Sequence, residues 1–166
     1  MEQTREGQAA RWAGRYDLVV EASPNAMLII DDDGRIALVN EAAERLFGYR
    51  REELLGQPVE ILVPERFRAN HPVDRARYAS EPSARPMGKG RDLRARRKDG
   101  TEAPVEIGLN PISTDEGRFV LSVINDITER QRAEERFRLV VEAAPNAMIM
   151  TDESGRIVLA NSQAEK

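Results

Sequence analysis

Cysteine is absent from the chain. That excludes disulfides, thiolate metal ligands, cysteine nucleophiles and a flavin held as a cysteinyl photoadduct, though it leaves the compartment open. Histidine occurs once, at His71, so any imidazole chemistry has to run through that residue. Long apolar runs are missing too: none approaches the ~20 residues that span a bilayer. The first residues lack the basic-then-apolar order of a signal peptide. There is no excess of positive charge either. A formal net charge of -4 with 33% charged residues gives no reason to expect a nucleic-acid or membrane partner. The expectation is a cytoplasmic protein that opens with a loose polar tail over residues 1–8.

What the chain does contain is a repeat of itself. Leu18-Val19-Val20-Glu21-Ala22 and Pro24-Asn25-Ala26-Met27 return as Leu139-Val140-Val141-Glu142-Ala143 and Pro145-Asn146-Ala147-Met148, at a constant offset of 121 residues. Asp31, Gly34-Arg35-Ile36, Leu38 and Asn40 reappear as Asp152, Gly155-Arg156-Ile157, Leu159 and Asn161. Over Leu18 to Arg45, 17 of 28 positions are identical to their partners. A domain-sized period of this kind marks a tandem array. The expected layout is a flanking helix over 9–22, a complete module over 23–128, a linker helix over 129–144 and the opening of a second module over 145–166. The two strands of that second opening, Ala147–Thr151 and Arg156–Ala160, are expected to lack the rest of their sheet and either to be disordered or to pair with another chain.

Trp12, Tyr16, Val19 and Val20 lie near helical spacing, and Pro24-Asn25 breaks that helix. Ala26 to Ile30 and Arg35 to Val39 read as two strands joined by the Asp32-Asp33-Gly34 turn. The three aspartates are read as turn residues, because they lack the spaced oxygen ligands of a calcium loop. Asn40 is the expected N-cap of a helix over Glu41 to Phe47, ended by Gly48. A short helix over Arg50–Leu54 follows, then a longer one from Glu65, where Pro72 forces a kink or a new start. Ser80 to Gly90 reads as a loop. Asp92–Lys98, Glu102–Leu109 and Phe119–Ile124 complete five antiparallel strands, with Val105, Ile107 and Leu109 on one side. Strands at both ends and helices grouped between the second and third predict an α+β sheet that cups its helices. Glu129 to Ala143 predicts a charged helix whose Ala133, Phe137, Val140, Val141 and Ala144 form a narrow apolar stripe. Such a stripe calls for a partner helix, and Val140→Asp is expected to weaken dimerisation without unfolding the module.

Several of these segments together resemble PAS sensor domains: Pro24 to Met27, the Asp33-Gly34-Arg35-Ile36 turn, Asn40 to Tyr49, Glu53 to Gln57, Arg97-Lys98-Asp99-Gly100-Thr101 and Asp126-Ile127-Thr128-Glu129-Arg130. The likeness covers Tyr16 to about Arg130 and restarts at Phe137. It implies a five-stranded antiparallel sheet with short helices on one face, and a regulatory role upstream of a histidine kinase or a cyclic-dinucleotide enzyme. It also implies a signal relay through Asp126, Ile127, Thr128, Ala133, Phe137, Val140 and Val141. No catalytic motif is present, so enzyme activity is expected only from further domains of a parent protein.

The segment Leu62 to His71 resembles the helix that carries the axial ligand in haem-binding PAS oxygen sensors of nitrogen-fixing bacteria. That likeness implies His71 as an iron ligand and Arg77 as a distal or propionate-side arginine. The reading adopted first needs no cofactor: His71 on a helix surface, bonded to Asp74 or a backbone carbonyl, with haem as the alternative. Phe47, Phe67, Ile107, Leu109, Val123 and Ile124 are candidates for the apolar wall of a pocket, or for the core of a module without one. The basic run Lys89, Arg91, Arg94, Arg96, Arg97 and Lys98 reads as a solvated strand face rather than an anion or RNA site. The function expected is a sensory and dimerisation module, with a haem gas or redox sensor and a cofactor-free assembly module as alternatives.

Overall fold

The computed structural model describes residues 20–87, 92–115 and 117–165. The tail over 1–8 and residues 9–19 of the expected flanking helix lie outside the described residues, and so do Lys89 and Arg91. The chain divides between Ile127 and Thr128 into two compact units.

The first unit runs β1 (Ala26–Asp31), β2 (Ile36–Val39), α1 (Glu41–Phe47), α2 (Arg51–Leu54), a 3-10 turn (Val59–Leu62), α3 (Glu65–Arg68), α4 (His71–Ser80), β3 (Arg85–Pro86), β4 (Arg94–Arg96), β5 (Glu102–Thr114) and β6 (Gly117–Asp126). The sheet is antiparallel, in the order β2-β1-β6-β5, and β5 also pairs with β4 and β3. The α+β arrangement read from the sequence is the one observed. β3 is additional: in a region read as loop, Arg85 and Pro86 pair with Leu109 and Gly108. Proline is tolerated there because the pairing is two residues long and lies at the edge.

Local chemistry fixes these boundaries. Asp31 accepts from the Arg35 amide at 2.8 Å and holds the β1–β2 turn, and Asp32 lies 3.5 Å from Arg118. Gly34, at φ +80°, supplies the left-handed residue, and a Cβ added there would fall on the Arg75 guanidinium. Asn40 caps α1 and Gly48, at φ +74°, ends it. The longer helix expected from Glu65 is two helices. Pro72 lacks an amide proton and would clash within a continuous helix, so α4 starts anew with the proline in its first turn, where neither defect matters.

One face of the sheet packs on the helices. Leu28, Ile36, Phe47 and Leu54 are less than 2% exposed and join Ile30, Val39, Val105 and Ile124 in one cluster. Ile107 sits directly opposite Ile124. Strand parity then puts Val123, Met27 and Leu121 on the other face.

The second unit holds α5 (Thr128–Glu142) and a hairpin of β7 (Ile149–Thr151) with β8 (Ile157–Ala160). Its likeness to the β1–β2 hairpin extends to an irregularity: register shifts between Ile29 and Ile30 in one and between Met150 and Thr151 in the other. The expected strands are present and paired. Ile149, Met150, Ile157 and Val158 are exposed, whereas Leu28, Ile29 and Ile36 at three of the matching places in the first hairpin are buried. Among the described residues no helix is long and apolar enough to cross a membrane.

Candidate functional site

Three groups of residues could serve sensing or relay. The first is the inner wall. Phe47 and Ile124 are buried in the core and Ile107 packs against it, while Leu109 is half-buried on the same face of β5. Two expected wall residues fall elsewhere. Phe67 is 49% exposed under the Arg66 guanidinium, because α3 is a single turn with no buried residue. Val123 follows Ser122 and precedes Ile124, both buried, so the period of two turns it to the opposite face. Leu28, Ile36, Phe47 and Leu54 are almost wholly shielded from water.

The second group surrounds His71. Its Nδ1 lies 2.9 Å from Glu60 Oε1, and Arg75 Nε donates to the same oxygen at 2.8 Å. The His71 and Glu60 side chains are 15% and 14% exposed. The expected partner, Asp74, instead lies 3.7 Å from Arg77 in an exposed pair, and the arginine beside the imidazole is Arg75. Arg75 takes that place because residues four apart share a helix face. Burial opposes the charge on Glu60, yet the hydrogen bonds from His71 and Arg75 outweigh it and hold the pKa below its ordinary 4.5. The stability Glu60 contributes is present above the unfolded carboxylate's pKa and fades as pH falls through the lower folded value. Glu60 escaped the sequence reading because it stands eleven residues away on a different element. In the neutral ring a carboxylate on Nδ1 holds the proton there and leaves the lone pair on Nε2, the arrangement a metal-ligating imidazole uses. Glu60 is thus the kind of partner that supports a ligating imidazole, while Arg77 stands in an exposed pair with Asp74.

The third group is the exit from the sheet. Asp126, the last residue of β6, accepts from Arg97 Nη2 at 2.9 Å. Arg97 Nε donates to the Leu46 carbonyl in the last turn of α1 at 3.0 Å, and the Lys98 amide donates to Phe47 O at 2.9 Å. The Ile127 amide donates to Pro104 O at 3.0 Å. One guanidinium thus spans the end of the core helix and the end of the strand that leads into α5. Most of the basic run is matched by carboxylates. Lys98 meets Glu53 at 2.5 Å, which holds the Glu53 pKa below the ordinary range, and Arg94 meets Asp92 at 3.3 Å. The described part of the run, Arg94 to Lys98, is thus charge-balanced.

In the second unit, Ala133, Phe137 and Val140 are exposed on α5, Val140 at 71%. Thr128 is half-buried at its start. Val141, expected in the same stripe, is buried within its own unit, and its carbonyl accepts from Asn161 Nδ2 at 3.0 Å. Among the described residues no group of three or more histidine, aspartate or glutamate side chains could hold a metal ion.

The pattern described as the PAS fold matches residues 14–127, and one described as a PAS domain matches residues 135–166. The chain is 33% identical over 120 residues to the sensor protein FixL of Bradyrhizobium diazoefficiens, covering 72% of this chain and 24% of that protein. It is 26% identical over 151 residues to the oxygen sensor protein DosP of Escherichia coli, covering 89% of this chain and 19% of that one. The chain thus spans a quarter or less of these curated relatives. Among solved structures, the PAS domain of an HTR-like protein from Haloarcula marismortui superposes with a TM-score of 0.59 at 23% identity, covering 74% of this chain and 98% of that one.

Proposed function

The chain belongs to the PAS family, and from that premise we propose that it is the sensory and dimerisation region of a cytoplasmic signal-transduction protein. Its output would pass through α5 to a downstream domain, a histidine kinase in the first instance, with any enzyme activity residing there. The observation that carries this reading is the exit. Arg97 joins α1 to Asp126, and the chain continues at once into a helix with Ala133, Phe137 and Val140 exposed along one stripe. A single helix of such charge is marginal in water, so a second copy of α5 is its natural partner. What supports a relay is that Arg97 ties α1 to Asp126, so a shift of α1 would reach the end of β6. Light scattering of the parent and of Val140→Asp tests the pairing. The variant should lose the dimer mass while circular dichroism keeps the parental fold. Parental mass in the variant would overturn the assignment of the interface to α5.

A second reading is favoured by the Glu60–His71 hydrogen bond. Here His71 Nε2 would hold a haem iron, Glu60 would fix the ring and raise its basicity, and the bound group would supply a site for a diatomic gas or a redox change. Likeness to FixL and to the oxygen sensor DosP supports this reading. Haem reconstitution checks it by absorbance: a Soret band in the parent that disappears in His71→Ala sustains it. No band, or one unaffected by the substitution, leaves the cofactor-free module.

A further inference from the structure

The repeat preserves more than sequence. Asn40 is fully buried and makes four hydrogen bonds: Oδ1 accepts from the amides of Met27 and Ala43, and Nδ2 donates to the carbonyls of Val20 and Asn25. Asn161 is also fully buried and repeats all four. Its Oδ1 accepts from Met148 at 2.9 Å and Ala164 at 3.2 Å, while its Nδ2 donates to Val141 at 3.0 Å and Asn146 at 2.9 Å. A second tie recurs beside it. Glu21 accepts from the Glu41 amide at 2.8 Å, and Glu142 from the Ser162 amide at 3.3 Å.

Capping the segment after the strand needs only an acceptor, which serine, threonine or aspartate supplies equally well. An amide is needed because the same side chain must also donate backwards, to Val20 O in the first unit and, in the second, to Val141 O in the last turn of α5, where intrahelical donors run out. Pro24 and Pro145 stand in the breaks that these bonds span, so helix hydrogen bonding cannot continue across them. Without the tie, each break would be a free hinge.

We infer that Asn161, with the neighbouring Glu142, is a coupler that fastens α5 to the first strand of the β7–β8 unit, so that movement of α5 is handed to that unit instead of being absorbed at the Ala143–Asn146 break, and that Asn40 with Glu21 makes the same joint between Val20 and β1. The importance of this coupling rests on the proposed relay through α5, but its test reads the joint alone. A failure here leaves the Val140 experiment untouched.

The chain has no native thiol, so cysteines placed at the exposed Glu135 and Glu153 give one spin label on α5 and one on the β7–β8 turn. Diluting the labelled chain with unlabelled chain restricts the measurement to distances within one molecule. The distance distribution should be narrow in the full chain. It should broaden in Asn161→Asp, which keeps the acceptor but loses both donations, and in Asn161→Ala. In the alanine variant, but not the aspartate one, the Met148 and Ala164 amides should also exchange with solvent about tenfold faster. Equal widths in all three chains would overturn the inference. Should the variants melt the hairpin, the unsubstituted chain decides. Slowly exchanging Asn161 side-chain amide protons sustain the coupler, and protons that exchange as fast as those of a free amide overturn it.

Discussion

Replacing Asn40 with alanine is expected to lower the unfolding free energy of the first unit by about 3–5 kcal/mol. The side chain is fully buried and removes four polar main-chain groups from the list of those needing a partner. Each lost bond is worth about 1 kcal/mol net, and an orphaned buried group costs about 1–3 kcal/mol where water cannot reach it. Set against a typical stability of about 5–15 kcal/mol, the loss is a large fraction of the whole. Urea unfolding followed by circular dichroism measures it. Asn40→Asp should fall between parent and alanine, since it retains both accepted bonds. A loss under about 1 kcal/mol for the alanine variant would mean that water replaces the side chain.

The second large effect is expected at Phe47. Truncation to alanine should cost about 3–5 kcal/mol, because the ring is 1% exposed in the main cluster and its removal leaves a void the neighbours fill only in part. The consequence for sensing is more telling than the cost. The void would be apolar and dry, and such cavities accept small aromatic guests. Benzene should therefore raise the unfolding midpoint of Phe47→Ala and leave the parent unchanged, since binding to the native state stabilises by mass action. Equal responses of parent and variant would show that the native core already has room for a guest.

Much of this arrangement was legible in the chain. The strands announced themselves by apolar runs between Asp-Gly turns, and Asn40 stood where a cap belongs. Pro72 allowed only a kink or a new start, and the second of these is found. The errors share a cause, which is distance or parity. Nothing local to His71 points to Glu60 or Arg75, whereas Asp74, the partner expected from sequence proximity, pairs with Arg77 instead. Val123 and Ile124 were both apolar, but consecutive strand residues cannot line one wall. Phe67, expected in a pocket wall or the core, sits on a one-turn helix with little face to bury. Val141 fitted a heptad stripe, and its burial came from a hairpin folded back by bonds that no periodicity reveals.

The asparagine joint also bears on how such chains grow. Its partners in the first unit run from Val20 to Ala43, and in the second from Val141 to Ala164, so each set is contained in a short continuous stretch. A gene segment that duplicates one module copies the fitting along with it. The new copy needs no matching change in the module before it beyond a helix of suitable length. Arrays can therefore lengthen or shorten by whole modules and keep the same phase of connection at every step, and ancestral duplication would leave the kind of 121-residue echo this chain carries.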